Sequence, residues 1–109
     1  MNLELRINAA LPTILERYIE RRLNFALARY GNRVENISIR ICDGSNPGES
    51  RCRIVAMLTP FGKVEIEERD VDLFSAIDRA SGRLGRRVGR ELDRVREART
   101  TRQSIRTAA

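Results

Sequence analysis

Apolar positions recur every three or four residues between residues 72 and 95, which is the spacing of an amphipathic helix. The positions on this stripe are Phe74, Ile77, Ser81, Leu84, Val88, Leu92 and Val95. At 3.6 residues per turn they fall within roughly 80° of one another. Asp72 precedes them and is predicted to cap the N-terminus of the helix. The pattern therefore predicts a helix that buries one face.

The rest of the chain alternates apolar and polar residues in four segments, which predicts four strands. These segments are residues 3–8, 34–42, 51–59 and 63–68. Between the first two, residues at helical spacing predict a second amphipathic helix: Leu11, Leu15, Ile19, Leu23, Ala26 and Tyr30. Pro12 suits its first turn and Gly31 its end. The centre of the third strand is apolar on both faces, so periodicity does not predict its register.

The predicted order is β-α-β-β-β-α, an α+β fold with a four-stranded sheet and two helices packed on one face. Because a helix separates the first two strands, the first strand is expected to pair in parallel with a neighbour through a right-handed crossover. Residues 1–96 form the predicted domain. Apolar periodicity is lost from Glu97 onward, so residues 97–109 are predicted to be a flexible basic tail.

Six arginines occupy the side of the predicted C-terminal helix opposite the apolar stripe: Arg79, Arg83, Arg86, Arg87, Arg90 and Arg94. Residues 79–109 hold ten Arg and three acidic residues, a net charge of +7, whereas residues 1–78 carry a net charge of −1. A helix face that serves only solubility usually mixes both signs of charge. The arginine row therefore indicates an anionic partner.

Three further arginines, Arg21, Arg22 and Arg29, flank the apolar face of the first helix. Ion pairs with Glu16 and Glu20, or simple solvation, explain them as well as a binding role does. If both helices cover the same face of the sheet, Arg22 or Arg29 would extend the arginine row into one basic surface.

The composition argues against catalysis. The chain has no His, so its serines lack the commonest activating base, and no ligand set for a metal or a cofactor is visible. Cys42 and Cys52 flank the predicted loop at residues 43–50 and are expected to be thiols that face each other. No segment resembles a signal peptide or a membrane span. The expectation is a cytoplasmic, non-enzymatic protein without a small-molecule substrate or a membrane partner.

Three glycines, Gly82, Gly85 and Gly89, line one flank of the C-terminal helix, where each costs roughly 1 kcal/mol relative to Ala. Close packing against the first helix explains them best. The alternative is that they leave room for a phosphate backbone.

The start of this helix, D-V-D-L-F-S-A-I-D-R-A, resembles the hibernation promoting factor and ribosome-associated inhibitor A family, first described as sigma-54 modulation proteins. The basic and leucine positions that follow also fit the family: Arg83, Leu84, Arg86, Arg87 and Arg90. T-P-F-G at residues 59–62 is similar as well. The resemblance covers residues 3–96 and includes the element order.

The resemblance implies a stress-linked translation regulator that binds the 30S ribosomal subunit in the channel for messenger and transfer RNA. Members contact 16S ribosomal RNA through basic residues on both helices, which implies roles for Arg83, Arg86, Arg87 and Arg90, and for Arg22 on the first helix. With the rest of the row, the candidate RNA-binding residues are Arg22, Arg79, Arg83, Arg86, Arg87, Arg90 and Arg94. Phe25 stands where the family usually carries a lysine. The C-terminal dimerisation domain of long members is absent, so a monomer is expected.

Two other interpretations remain open. A double-stranded RNA-binding domain also has a basic second helix, although its lysines lie at the helix start, where this chain is acidic. A modulator of transcription would use the arginines to bind an acidic protein.

Overall fold

The computed structural model describes the backbone of residues 2–7 and 12–108 and the side chains of residues 12–97. Its strands are β1 (Asn2–Ile7), β2 (Val34–Asp43), β3 (Ser50–Leu58) and β4 (Lys63–Asp70). Its helices are α1 (Thr13–Leu27) and α2 (Leu73–Ala108). A 3₁₀ segment, Ala28–Arg33, which is interrupted by a kink at Gly31, follows α1 and was not predicted, so α1 ends at Leu27 and not at Gly31. The α+β class is confirmed, and this segment is the only addition to the predicted element order in the part of the chain described.

The sheet has the strand order β1-β2-β3-β4. Strands β2, β3 and β4 form an antiparallel meander, and β1 pairs with β2 in parallel, as expected for strands separated by a helix. The apolar side chains of residues 3–8 were predicted to alternate toward the core, and Leu11 was predicted to belong to the apolar stripe of α1. Both predictions lie outside the described side chains.

One face of the sheet is buried. Ile39, Ile54 and Ile66 are paired across β2, β3 and β4, and each is 1% exposed. The same alternation turns Val55 and Met57 of β3 to the opposite, uncovered face. The neighbouring strands thus set the register of β3 that its own sequence did not.

Both helices cover the buried face of this sheet. The buried positions of α1 are Leu15, Ile19, Leu23 and Leu27. In α2 the predicted stripe is buried from Ile77 to Val95, including Ser81, and Ala76 and Ala80 join it. The predicted inward face of α2 is therefore confirmed for all its positions except one.

That exception is Phe74, which is 44% exposed. Its ring makes an edge contact with Tyr18 of α1, with 5.0 Å between the ring centroids. Phe74 lies in the first turn of α2, where the helix meets the rim of the core, so it packs on one neighbour instead of entering the interior.

The backbone also corrects the predicted end of the last helix. α2 does not stop near residue 97 but continues to Ala108. Apolar periodicity reports which face of a helix is buried, whereas helix propensity depends on residue type, and Arg, Glu, Ala and Gln in this segment favour a helix. That the segment is mobile stays a prediction.

The two cysteines do not face each other. Cys52 pairs with Ile41 and is buried among the core residues, whereas Cys42 pairs with Arg51 and lies on the uncovered face. Neighbouring positions along a strand point to opposite faces, so a shift of one residue separates the side chains. Both are free thiols, as expected, and burial raises the pKa of Cys52 to about 12.

Candidate nucleic-acid interface

The N-terminal cap fixes helix α2 to the end of β4. The backbone N–H of Phe74 donates to Asp72 Oδ1 at 3.0 Å, and the Ser75 hydroxyl donates to Asp72 Oδ2 at 2.9 Å. The N–H of Asp72 itself donates to Asp70 Oδ1 at 2.8 Å. These bonds satisfy a helix N–H that has no intrahelical partner. The predicted cap is confirmed, and it fixes the position at which α2 begins to pack on the sheet.

The arginines in the middle of α2 point to solvent. Arg86, Arg87 and Arg90 are exposed and lie opposite the buried stripe. None of the three forms an ion pair or a hydrogen bond with any side chain in residues 12–97. Their charges are therefore not balanced locally, and they create a positive surface that attracts anions.

The first two arginines of the predicted row are engaged differently. Arg79 Nη1 lies 2.8 Å from Asp70 Oδ2, and Arg79 Nη2 donates to the carbonyl of Arg69 at 2.9 Å. Arg83 Nη1 lies 2.6 Å from Glu68 Oε1. Arg79 and Arg83 thus hold the first turns of α2 against β4, and part of their charge is neutralised there. The sequence did not indicate these pairs because the partners are 9 and 15 residues away.

The acidic end of β4 is adapted to this role. The N–H of Asp72, followed by the Arg79 guanidinium, lowers the pKa of Asp70 below its usual value. A carboxyl whose pKa is lowered by folding stabilises the fold above its unfolded pKa and loses that contribution as the pH falls through the folded value. The anchor of α2 is therefore complete at neutral pH and weakens only in acid.

Arg94, at the far end of the row, lies 3.4 Å from Glu91 one turn earlier. Both groups contact solvent, and an exposed pair at this spacing holds its members only weakly. Arg94 therefore remains accessible to a partner.

Arg22 lies at the seam between the helices. Its Nε is 3.1 Å from Asp78 Oδ1 of α2, and the Tyr18 hydroxyl donates to the same carboxylate oxygen. This pair replaces the contacts with Glu16 or Glu20 that the sequence left open. Asp78 is thus shared by two α1 side chains, which joins the basic residues of α1 to those of α2.

An open groove separates the C-terminal end of α1 from the middle of α2. It encloses about 490 Å³, and three arginines from both sides line it: Arg22, Arg29 and Arg86. No acidic residue contributes to its lining, and Arg29 makes no ion pair with a described residue. The expected joining of Arg22 or Arg29 to the arginine row is therefore present in the fold.

The glycines of α2 have different surroundings. A Cβ on Gly85 would lie 2.9 Å from the carbonyl oxygen of Ala26, and one on Gly89 would lie 2.5 Å from the Tyr30 hydroxyl. Close packing against α1 and the 3₁₀ segment is confirmed at these two positions. A Cβ on Gly82 would have only the end of Arg86 within 4 Å, at 3.7 Å, so Gly82 leaves space in the groove.

The uncovered face of the sheet is charged but largely balanced. Glu65 lies 3.1 Å from Arg53 and 2.8 Å from Lys63, and Glu67 lies 3.6 Å from Arg51 and 3.4 Å from Arg69. The two sides of the molecule thus differ in how their basic residues are paired. The unbalanced positive charge of the described residues is concentrated on the helices.

Comparison with known proteins identifies the fold. No known family profile matches the sequence, and no curated protein matches it either. Among solved structures, the N-terminal domain of Protein Y from Thermus thermophilus is 31% identical, with a TM-score of 0.69, and the match covers 83% of this chain and 98% of that one. The chain belongs to the hibernation-factor family.

A second structure of this hibernation-factor fold, a ribosomal subunit interface protein from Coxiella burnetii, has a TM-score of 0.71 at 13% identity. The match covers 85% of this chain and 99% of that one, and identity at this level shows the fold alone. In the part of the chain that the structure describes, no helix combines the length and hydropathy needed to cross a membrane.

One residue of this hibernation-factor chain lies beside the arginines although the sequence predicted no role for it. Phe25 of α1 is 79% exposed and lines the groove beside Arg22 and Arg29. The signal available in the sequence was a large aromatic residue on the polar side of an amphipathic helix, three residues after one arginine and four before another.

Proposed function

We propose that this protein is a non-enzymatic, cytoplasmic regulator of translation that binds the small ribosomal subunit and keeps it idle under stress. Its basic surface, formed by the middle of α2 and the adjoining end of α1, contacts 16S ribosomal RNA in the channel for messenger and transfer RNA. Membership of the hibernation-factor family and the fold shared with the ribosomal subunit interface protein from Coxiella burnetii support a ribosomal partner.

The observation that carries the proposal is the distribution of unpaired arginines. Arg86, Arg87 and Arg90 have no described partner, and they adjoin Arg29 and Arg22 across the groove. Guanidinium groups give planar, bidentate contacts to phosphate. A row of them matches the extended backbone of RNA better than it matches a compact acidic patch on a protein. The core of the protein lies beneath this surface, so Arg86, Arg87 and Arg90 are already exposed in the fold as it stands.

Sedimentation with purified 30S subunits tests the proposal. The wild-type protein should sediment with 30S particles and not with 50S particles. The triple variant Arg86→Glu, Arg87→Glu, Arg90→Glu should stay in the supernatant. Its circular dichroism and unfolding midpoint should remain those of the wild type, because these exposed side chains make no hydrogen bond or ion pair with a described residue. Binding of the triple variant at wild-type strength would move the interface elsewhere. Absence of wild-type binding would favour an acidic protein partner.

A further inference from the structure

The groove between α1 and α2 has three features that together fit a nucleotide: open space, positive charge and an exposed aromatic ring. Gly82 lines the groove and leaves open space there, because a Cβ at this position would have only the end of Arg86 within 4 Å. Three arginines also line the groove: Arg22, Arg29 and Arg86. Phe25, which is 79% exposed, lines it as well.

Phe25 is not part of the core. The buried positions of α1 are Leu15, Ile19, Leu23 and Leu27, and Phe25 is separated from them on the helix surface. The one ring contact among the described aromatics joins Tyr18 and Phe74 and does not involve Phe25. Exposure of a phenyl ring costs solvation free energy that nothing in residues 12–97 offsets, so the side chain is suited to an external partner.

We infer that the groove holds one unpaired nucleotide of the RNA, with its base stacked on Phe25 and its phosphates held by Arg29, Arg22 and Arg86. This inference rests on the proposed function and adds to it a base contact, where the arginine row supplies only phosphate contacts. The volume of about 490 Å³ lies within the range of roughly 300–1,000 Å³ typical of small-molecule sites.

The chemistry favours RNA over a protein side chain as the occupant. Single-stranded RNA presents unstacked bases, and proteins bind them by stacking on aromatic rings within positively charged grooves. Three arginines and no acidic residue line this groove, and of the three only Arg22 is paired with a described residue, Asp78, so the net charge of the groove complements a phosphate and not a basic or neutral peptide. Stacking on a phenyl ring accepts any base, so the contact adds affinity without demanding a sequence.

A substitution series at position 25 in the full chain tests the inference. Phe25→Ala should weaken binding to purified 30S subunits by roughly 5- to 100-fold, the range expected for loss of one stacked base. Phe25→Trp and Phe25→Tyr should bind within about twofold of the wild type because a ring is retained. Phe25→Leu, which keeps apolar bulk but has no ring, should behave like Phe25→Ala. Equal affinities for Phe25→Leu and the wild type would show that stacking is not the contact.

Met57→Ala is the matched control. Met57 is 41% exposed and lies on the uncovered face of the sheet, so its truncation removes a large exposed apolar side chain away from the groove. The slope of log K against log salt distinguishes the base contact of Phe25 from the phosphate contacts of the arginines. Phe25→Ala should leave it unchanged because phenylalanine is neutral, whereas Arg29→Ala should reduce its magnitude by about 0.7.

Ultraviolet cross-linking of the wild-type complex identifies the occupant. Mass spectrometry should find the peptide containing Phe25 joined to a ribonucleotide, and a link to a ribosomal protein peptide would overturn the inference. If the wild type binds 30S subunits and Phe25→Ala binds equally well, the nucleotide site is wrong while the proposed function stands. If the wild type does not bind 30S subunits, the proposed function fails and the nucleotide site with it.

Discussion

At the scale of single residues, the three glycines of α2 show how one residue type serves different ends. Each lowers the stability of an isolated helix by a similar amount. Gly85 offsets that cost by letting α2 approach the backbone of Ala26, and a backbone atom cannot move aside easily. Gly82 has no such neighbour and leaves an opening in the groove instead.

We therefore expect opposite effects from the same substitution. Gly82→Ala should raise the free energy of unfolding by about 0.5–1 kcal/mol, because alanine favours the helix and meets no obstacle. Gly85→Ala should lower it by roughly 1–3 kcal/mol, because its Cβ overlaps the carbonyl of Ala26. Urea unfolding followed by circular dichroism measures both, and equal stabilities would mean that the helices are farther apart at this point.

Two neighbouring residues of the predicted stripe, Phe74 and Ile77, differ in how far they are buried. Ile77 is 1% exposed, so Ile77→Ala should lower the free energy of unfolding by roughly 2–5 kcal/mol. Phe74 is 44% exposed and contacts the ring of Tyr18, so Phe74→Ala should cost only about 1–2 kcal/mol. Thermal or urea unfolding of both variants checks the order, and a larger loss for Phe74→Ala would contradict the partial exposure of its ring.

At the scale of elements, α2 has two described parts with different tasks. Its first turns are fastened to β4 through Arg79 and Arg83, while its middle carries arginines without described partners. The sequence presented all of these as one row because helical projection places residues by angle alone. Packing against β4 brings Glu68 and Asp70 to one end of the row, and this contact divides it.

A pair of single substitutions tests this division of surfaces. Arg90→Glu should weaken binding to 30S subunits by at least about tenfold, because it removes a phosphate contact and adds a repulsive charge. Arg40→Glu makes the same change of charge on the uncovered face of the sheet, where Arg40 is exposed and has no described partner. We expect it to bind as the wild type does. Equal losses in the two variants would indicate that net charge, and not position, governs binding.

At the scale of the whole molecule, the number of accessible arginines on the basic surface predicts how strongly binding depends on salt. Six line the groove or follow it along α2 without being held by β4: Arg22, Arg29, Arg86, Arg87, Arg90 and Arg94. Each phosphate contact to irregular RNA contributes about −0.7 to the slope of log K against log salt. The number of counterions released from the RNA on binding should therefore follow the number of these arginines and not the total number of arginines in the chain.

We expect a slope near −4 for six contacts, so a fourfold rise in monovalent salt should weaken 30S binding by about 300-fold. Titrations at fixed magnesium measure it without unfolding the ribosomal RNA. Arg79→Ala, which removes an arginine held by β4, should change the slope less than Arg90→Ala does. A slope shallower than about −1 would show that the arginines do not contact phosphates.

Much of the fold follows from local pattern. The four strands, the two helices, the N-cap at Asp72 and the inward face of α2 were predicted because periods of 2 and 3.6 residues report directly which side of an element is apolar. The family could also be predicted, since the start of α2 carries its most specific residues. The predicted end of α2 near residue 97 was wrong because apolar periodicity reports burial and not helicity, whereas the division into a domain and a tail stays a prediction.

The sequence by itself determined the elements, their apolar faces and the excess of positive charge near the C-terminus, because each of these depends on residues close together in the chain. Only the tertiary structure decided which arginines are accessible. Arg79 and Arg83 are paired with β4, and Arg86 has no ion pair with a described residue, because β4 ends beneath the first turns of α2. The groove with Phe25 likewise exists only where the end of α1 meets the glycines of α2, two segments about 60 residues apart that only packing brings together.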